Sequence, residues 1–500
     1  MDESVFRQNF KDLCNKLADV DVTGSFGPEP PWKSGCPILQ GLKKWMAPGI
    51  SALPAAYRRA FIEPLENKLS ALIDAYPKSE ENQLRLEAFV CAVYQHAPDY
   101  PFRSNLHRLL GLVSDLYRSF LEPAEGTAWE ATGDKIQVTE ALPPLATFKC
   151  SGKSGSFIFP VDDVRQRIGG SVAVVSLPAV YAERPILWVW AAHETGGHAV
   201  VHAVRGLLDE LRYGVQQELA KMSVRGLWPG GLGVLWRAWM NEAVADVYGV
   251  LNIGPAYGAA LAAAIAAQRR WQANLDIPQI SMDSSPGPSG EVDRHPTDIL
   301  RIHLALGAVE SLIDLDLEKR QHYAAELRTI ADLCKSAEVV SISGYRLYHG
   351  RGVDAILPLD EMQESARRVG RYIATTELKA LGGRSIQQIE TWDNHDERTA
   401  EHVRDALAAR AAIGVLGDDA QLFAGAISQL LRTPGDYDHV VWSLKVGLDQ
   451  SFADDPLWGS AHRATGRSGQ GGTAAAAERG PHLKISDQSS QDGRRGNAAQ

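Results

Sequence analysis

The segment from His193 to His198, HETGGH, constrains this chain more than any other part of its sequence. It lies inside a run with helical periodicity, WVWAAHETGGHAVVHAVRGLLDEL. On a regular α-helix, residues five positions apart point about 140° away from each other, so the two imidazoles would face different sides. The glycine pair Gly196–Gly197 costs a helix interior roughly 1 kcal/mol per residue relative to alanine. We therefore predict a single-turn bulge at this pair, which turns both histidines to one face.

A second cluster of ionisable residues lies in the segment NEAVAD, residues 241–246, which also has helical periodicity. Its Glu242 can be the third protein ligand of a metal that His193 and His198 also bind. Two imidazoles and one carboxylate leave a fourth position for water, as in catalytic zinc sites. Asp246 follows Glu242 by one helical turn, so we expect it to accept a hydrogen bond from a ligating imidazole and to fix that ring.

Both segments resemble motifs of known zinc peptidases. HETGGH resembles the HExxGH motif of the dipeptidyl peptidase III family, including the glycine before the second histidine. NEAVAD resembles the NExxxD element of thermolysin-like gluzincins and parallels the second zinc motif of dipeptidyl peptidase III. The resemblance covers these two motifs and implies a zincin-like metallopeptidase with Zn²⁺ held by His193, His198 and Glu242. It also implies that Glu194 activates the attacking water.

Peptide hydrolysis at such a site needs further residues. We predict that Glu194 takes a proton from the attacking water and later delivers it to the leaving amine. The oxyanion of the tetrahedral intermediate needs a donor, for which His295, Tyr248 and Tyr257 are candidates, with the first two preferred as catalytic residues. The strand-like segment SVAVVSLP, residues 171–178, precedes the histidines and is expected to be an edge strand that binds an extended peptide. The predicted partner is thus a peptide or protein substrate.

His202 offers a different metal site. On an undistorted helix, Glu194, His198 and His202 form one stripe with a spacing of four residues, and all three could bind a metal. Glu194 would then be a ligand and no base would remain. We therefore assign His202 either to contact with the metal ligands, without binding the metal itself, or to helix packing. The main functional alternative is a non-catalytic helical binding or scaffold protein that keeps a zinc site. A structural site uses four protein ligands and no base, so Glu194 favours the enzyme.

The composition argues against other classes of partner. The net charge is -10 and the pI about 5.8, whereas nucleic-acid binding needs clustered Lys and Arg. No stretch approaches the ~20 consecutive apolar residues that a membrane helix needs. The five cysteines form no CxxC pair and the N-terminus lacks the apolar core of a signal peptide, so we predict reduced thiols in a soluble, cytoplasmic protein. Nothing in the sequence specifies an oligomeric state.

The periodicity predicts a mostly α protein with a small β-sheet (an α+β fold), in which helical regions flank a zincin-like catalytic core. An N-terminal helical region covers residues 1–145. The catalytic region, residues 146–345, contains the strand-like segments GSFIFP and SVAVVSLP. Helices resume at Thr297 and dominate to about residue 450, so a C-terminal helical region covers 346–457. Residues 458–500 have almost no large apolar side chains, which predicts a disordered tail.

Overall fold

The computed structural model describes residues 1–19, 39–125, 142–149, 155–273, 278–284, 292–344, 353–413 and 417–459. Most of these residues are helical, and the strands form two small mixed sheets. The expected mostly helical α+β class is therefore confirmed. None of the helices within these ranges is long and apolar enough to cross a bilayer.

The first six helices precede the sheets. They are α1 (Glu3–Ala18), α2 (Leu39–Ala52), α3 (Ala55–Tyr57), α4 (Glu63–Ala75), α5 (Glu80–Tyr94) and α6 (Arg103–Glu125). In α6, apolar residues recur at intervals of three and four, which places them on one face of the helix. This face is buried in the core and includes Leu106, Leu109, Val113, Leu116 and Phe120.

The first sheet consists of β1 (Leu145–Phe148), β2 (Phe157–Phe159) and β3 (Val174–Leu177), with α7 (Val161–Ile168) between β2 and β3. The strand order is β1-β3-β2, with β3 parallel to β1 and antiparallel to β2. All four residues of β3 are buried, as in a central strand. Because β3 pairs on both sides, the expectation that this segment is an edge strand is wrong. The outer strand β2 packs against the turn that carries the two histidines.

The two motifs lie on helical segments that are in contact. The first segment consists of α8 (Val189–Ala192), a π-helical turn (His193–Ala199) and α9 (Val200–Ala203). It is followed by α10 (Leu207–Glu218), α11 (Gly231–Ile253) and α12 (Ala256–Ala273). Helix α11 packs on the π-helical turn, and every residue from Glu242 to Ile253 is buried. The close packing of these segments brings the two motifs together.

A second sheet lies where the sequence pattern had suggested mainly helix. It consists of β4 (Asp283–Ser284), β5 (Val339–Gly344) and β6 (Val353–Pro358) in the order β4-β5-β6. Helices α13 (Asp298–Glu310) and α14 (Leu317–Cys334) lie between β4 and β5. Burial alternates along β5, which is the period-two pattern of a strand with one face in the core.

Four more helices complete the described fold. They are α15 (Leu359–Thr375), α16 (Asn394–Ala408), α17 (Asp419–Arg432) and α18 (Tyr437–Asp454). Trp458, the first residue of the predicted tail, is buried, and its indole N–H donates to Ser114 Oγ at 2.9 Å. The rest of that predicted tail, residues 460–500, lies outside the described residues. Most of the apolar core is one connected cluster with members from Phe6 to Trp458, beside a small second cluster of Tyr94, Ala97 and Tyr100. The division of the chain into regions stays a prediction.

Candidate metal centre

The two histidines of the first motif lie on the π-helical turn His193–Ala199. The bulge predicted from their spacing is therefore confirmed. A π-helical turn contains an extra residue, so side chains five positions apart return to the same face. The rings of His193 and His198 accordingly meet edge to face, with centroids 4.9 Å apart and planes at 87°.

The glycine pair also allows the close approach of α11. A Cβ atom on Gly197 would lie 2.1 Å from the Ala245 Cα atom, which belongs to the backbone of α11. A Cβ atom on Gly196 would lie 2.3 Å from the amide nitrogen of Asn252. Only glycine leaves room for a neighbouring backbone at this distance. The glycine pair therefore allows both the distortion of the helix, which the sequence predicted, and the close contact with α11, which the sequence did not predict.

Three potential ligands converge at this contact, and we call His193, His198 and Glu242 the metal trio. The Glu242 Oε2 atom lies 3.2 Å from His193 Nε2 and 3.4 Å from His198 Nε2. Metal–ligand bonds of about 2.0–2.1 Å in a tetrahedron place neighbouring ligand atoms about 3.3 Å apart, so the spacing fits a shared ion. No other three His, Cys, Asp or Glu side chains in the described ranges have ligand atoms all within 4.8 Å of one another. The buried trio can therefore hold a metal ion.

Charge within the metal trio favours the carboxylate form of Glu242. Burial opposes its ionisation, but His295, His198 and His193 hold the pKa of Glu242 well below its usual range. Metal ligands must be deprotonated, and a carboxylate that is already ionised meets this requirement. The donor set thus fits a divalent metal in its geometry and in the charge of Glu242. Burial lowers the pKa of His193, but Asp246 and Glu242 raise it to about 9, so a metal would have to displace a proton from this ring.

The alternative site of Glu194, His198 and His202 does not have its ligand atoms all within 4.8 Å of one another. His202 is half-buried, and its Nε2 atom lies 3.1 Å from Asn241 Oδ1. Asn241 directly precedes Glu242, so this contact links α9 to α11 next to the metal trio. This position is compatible with both roles that the sequence analysis left open for His202, contact with the residues next to the metal ligands and helix packing.

Asp246 and Arg301 lie on the Nδ1 side of the His193 ring, away from its contact with Glu242, and orient the ring. Asp246 Oδ1 lies 2.9 Å from His193 Nδ1, which is the contact expected from the one-turn spacing. Arg301 of α13 donates two hydrogen bonds of 2.8 Å to the Asp246 carboxylate, from Nε and Nη2. Its guanidinium also lies over the Trp190 ring, 5.3 Å from the centroid. Burial opposes the charge of Asp246, but Arg301 and His193 lower its pKa to about 2. Sequence reasoning had missed Arg301, whose signal was a single cation within the apolar helix DILRIHLAL.

His295 lies on the open side of the metal trio. Its Nε2 atom is 3.3 Å from Glu242 Oε2, and its side chain is 52% exposed whereas that of Glu242 is 9% exposed. Asp293 holds the other side of the ring, with Oδ1 3.0 Å from His295 Nδ1 and 3.0 Å from its backbone nitrogen. Burial lowers the pKa of His295, but Glu242 and Asp293 raise it above its usual value.

The two candidate tyrosines are parts of the core. Tyr248 packs edge to face against Phe120, with centroids 5.3 Å apart, and its hydroxyl has no hydrogen-bond partner among the described residues. The Tyr257 hydroxyl donates to Asp246 Oδ1 at 3.5 Å. Burial raises the pKa of both phenols well above the usual value. Within the described structure, neither hydroxyl makes a hydrogen bond to a member of the metal trio.

Glu194 lies in the π-helical turn between the two histidines, and its side chain is buried. A cation that the sequence analysis had not identified, Lys149, lies near it. The Lys149 ammonium is 4.2 Å from the centroid of the Phe157 ring and donates a hydrogen bond to the Gly155 carbonyl. Burial lowers its pKa to about 8, although the carboxylates of Glu194 and Glu87 favour its charged form. The first sheet thus brings a positive charge to the region of Glu194.

With the geometry described, the chain can be compared with known proteins. No family model, no curated protein and no solved structure matches it. The likeness to dipeptidyl peptidase III and to gluzincins therefore rests on the two motifs.

Proposed function

We propose that this chain is a zinc-dependent metallopeptidase that hydrolyses peptide bonds with Glu194 as its general base. The observation that carries the proposal is the spacing of the metal trio, in which two imidazoles lie 3.2 and 3.4 Å from one Glu242 oxygen. Two histidines and one glutamate form a recurrent ligand set of catalytic zinc sites and leave the fourth position open. A zincin-like catalytic core and a cytoplasmic location are parts of the same proposal.

The proposal assigns a role to each of the protein side chains at the site. A zinc ion held by the metal trio would lower the pKa of a water molecule to about 7 and polarise the scissile carbonyl. Glu194 would take the proton of the attacking water and deliver it to the amine as the peptide bond breaks. Asp246, fixed by Arg301, would keep the His193 ring in its ligating orientation.

His295 is the proposed donor to the oxyanion. Support comes from its half-exposed side chain, from the distance of 3.3 Å between its Nε2 atom and Glu242 Oε2, and from the contact of its Nδ1 atom with Asp293. A donor aimed at the position of the developing charge contributes much of the stabilisation in acyl transfer. Tyr248 is less suited to this role because its hydroxyl is completely buried beside Phe120.

The substrate is proposed to be a peptide in extended conformation. Since β3 is a central strand, the outer strands of the described sheet are β1 and β2, and we propose β2 as the strand that pairs with a substrate. Support comes from the packing of β2 against the π-helical turn and from the partial exposure of Phe157 and Ile158. A peptide added to this edge would form backbone hydrogen bonds next to the metal trio.

A non-catalytic helical scaffold with a structural zinc ion is the second candidate. The observation in its favour is the contact of His295 Nε2 with Glu242 Oε2, because His295 as a fourth ligand would close the site. Against it, His295 is not among the side chains whose ligand atoms all lie within 4.8 Å of one another.

A Glu194→Gln variant tests the proposed enzyme. We expect it to retain zinc, by elemental analysis, and to hydrolyse a mixed peptide library about 10²–10⁴-fold more slowly than the parent chain. Glu318→Gln, at an exposed position of α14, is the matched control and should retain full activity. Unchanged hydrolysis by a zinc-loaded Glu194→Gln chain would show that Glu194 is not the base.

A His295→Ala variant separates the enzyme from the scaffold. For the enzyme, we expect one zinc ion per chain to be retained while the maximal rate falls. For the scaffold, removing the fourth ligand would reduce zinc binding, and no hydrolysis would be detectable in the parent chain. Measuring zinc content and peptide hydrolysis on the same preparations decides between the two.

A further inference from the structure

One outer edge of the first sheet is closed by a side chain. Gln95, which follows α5, accepts a hydrogen bond of 2.8 Å from the Phe148 backbone nitrogen, and its amide donates to the Phe148 carbonyl. Phe148 is the last residue of β1, so the amide of Gln95 takes the hydrogen bonds that a neighbouring strand would make there. Of the two outer strands of the described sheet, β2 therefore remains the candidate for pairing with a peptide.

The reacting groups of the metal centre are enclosed. The residues of the metal trio are 2%, 4% and 7% exposed, and Glu194 is 4% exposed. The side chain of His295, at 52%, is the exposed neighbour of the metal trio. Cleavage within a continuous chain needs a groove that is open at both ends, whereas an enclosed site accepts the end of a chain. The described residues thus favour a substrate that enters by one end.

Lys149 brings a cation to the beginning of β2. It follows β1 directly, and its backbone nitrogen donates to the Leu177 carbonyl at 2.8 Å, which continues the pairing of β1 with β3. Its ammonium reaches across the sheet to β2, where it lies 4.2 Å from the centroid of the Phe157 ring and donates to the Gly155 carbonyl. Because the face of an aromatic ring attracts a cation, Phe157 helps to hold the ammonium there.

Strand β2 lies next to the metal centre, and the residues before it are covered by α12. The strand packs against the π-helical turn that contains Glu194. A Cβ atom on Gly155, two residues before β2, would lie 3.1 Å from Gln268 Nε2 of α12. This packing limits the room beyond Phe157, so a peptide paired with β2 would end close to Lys149.

The ammonium of Lys149 is mostly charged at neutral pH. Burial lowers its pKa to about 8, and Glu194 and Glu87 favour the charged form. A positive charge in an enclosed site attracts a carboxylate and repels an ammonium, because both interactions are screened less there than in water. Of the two ends of a peptide, the carboxyl end is thus the one that fits beside Lys149.

We propose that the metal centre acts at the carboxyl end of peptides and that Lys149 binds the terminal carboxylate of the substrate. This inference rests on the proposed peptidase function and names the class of its substrate. The peptide would pair with β2, its last residues would lie between the metal trio and Lys149, and the rest of its chain would leave past His295. An acidic side chain carries the same carboxylate, so a test must separate the two sources.

Paired peptides test the inference on the zinc-loaded full chain. An N-acetylated peptide with a free terminal carboxylate should be hydrolysed with a kcat/KM about 10–100-fold higher than its C-terminal amide, because the amide cannot make the charge-assisted hydrogen bond. Mass spectrometry should find products that are shortened only from the carboxyl end. An amidated peptide that ends in glutamate keeps a carboxylate in its side chain and should react as slowly as the plain amide.

A Lys149→Met variant removes the charge and keeps a side chain of similar length. We expect KM for the free acid to rise about 10–100-fold and the ratio of acid to amide hydrolysis to fall close to one, whereas Lys149→Arg should keep part of the preference. Lys221→Met, at an exposed position after α10, is the matched control and should keep the parental ratio. The comparison of acid and amide in the parent chain still decides if Lys149→Met does not fold.

Three results would each overturn the inference and leave the peptidase function intact: equal hydrolysis of acid and amide, fast hydrolysis of the glutamate amide, or the parental ratio in Lys149→Met. Calorimetric binding of the acid and the amide to the zinc-loaded Glu194→Gln chain separates the two proposals. Preferential binding of the acid, without hydrolysis by the parent chain, would contradict the peptidase function and support the carboxylate site. Neither binding nor hydrolysis would contradict both.

Discussion

The metal centre and the cleft between α6, α17 and α18, which we call the acidic cleft and which Asp115, Asp418, Asp454 and Asp455 line, hold their carboxylates in different ways. In the metal centre, Asp246 receives two hydrogen bonds from Arg301, and three imidazoles surround Glu242. In the acidic cleft, four aspartates share one guanidinium, and Asp419 accepts no hydrogen bond from any described residue. Fixed protein charges thus compensate the carboxylates of the first site, whereas Asp418 and Asp454 of the second site are exposed to water.

The same contrast appears in the pKa values of two aspartates. Burial raises the pKa of a carboxyl group, and it acts on both Asp246, which is completely buried, and Asp115, which is half-buried. Beside Arg301, the pKa of Asp246 nevertheless falls to about 2, whereas Asp418 adds to the effect of burial and the pKa of Asp115 rises to about 7. Neighbouring charge, more than burial, distinguishes the two sites.

The largest expected effect comes from removing the compensating charge of the metal centre. Arg301→Met leaves the buried Asp246 carboxylate without its partner, so we expect the free energy of unfolding to fall by about 3–5 kcal/mol in chemical denaturation. The double variant Arg301→Met with Asp246→Asn removes the unpaired charge as well and should recover at least half of the loss. An equal loss in the single and double variants would show that charge compensation is not what Arg301 supplies.

A smaller effect is expected from filling the space between helices at each site. Gly197→Ala places a Cβ atom 2.1 Å from the backbone of Ala245, so we expect a loss of about 1–3 kcal/mol in the free energy of unfolding and a lower zinc content. Gly447→Ala, at the acidic cleft, meets the movable end of Leu422 at 2.9 Å and should cost less. A Gly197→Ala chain with parental stability and zinc content would contradict the need for close helix contact.

The smallest effect is a change in pH dependence. The pKa of folded Asp115 is about 7, above the ordinary value of 3.8, so between these values the folded chain holds a proton that the unfolded chain releases. Its stabilising contribution is complete below about pH 4 and is lost as the pH rises through about 7. We expect a decrease of up to about 1.4 kcal/mol per pH unit in this window, measured by chemical denaturation.

Asp115→Asn should reduce this decrease, because an amide does not titrate in the window. Asp438→Asn removes a solvent-exposed carboxylate and should leave the pH profile of the parent chain unchanged. If Asp115→Asn and the parent chain lose stability at the same rate between pH 5 and pH 7, Asp115 does not hold a proton in the folded chain in this pH range.

The ligand geometry was predictable because its signals are local. The interval of five between His193 and His198, together with two glycines inside a helical run, implies a bulge in the helix. The one-turn spacing of Glu242 and Asp246 likewise predicts that one carboxylate reaches the metal position and the other reaches an imidazole. Both spacings depend only on helix geometry, whereas the meeting of the two motifs depends on the packing of α11 on the π-helical turn.

The remaining features depend on contacts between distant segments. Arg301 reaches Asp246 through the packing of α13 on α11, and the acidic cleft combines residues of α6, α17 and α18. Strand order is also non-local: β3 pairs with β1 and β2 on its two sides, which its alternating sequence alone does not specify. The sequence analysis therefore predicted individual helices and strands better than it predicted which of them lie next to each other.

X-ray absorption spectroscopy at the zinc edge of the purified chain tests the central claim most directly. The account predicts one zinc ion per chain with two imidazole nitrogens and two oxygens at about 2.0–2.2 Å, and loss of that ion in His198→Ala. Coordination by sulfur or by three or more imidazoles, or full zinc retention in His198→Ala, would contradict a site formed by His193, His198 and Glu242.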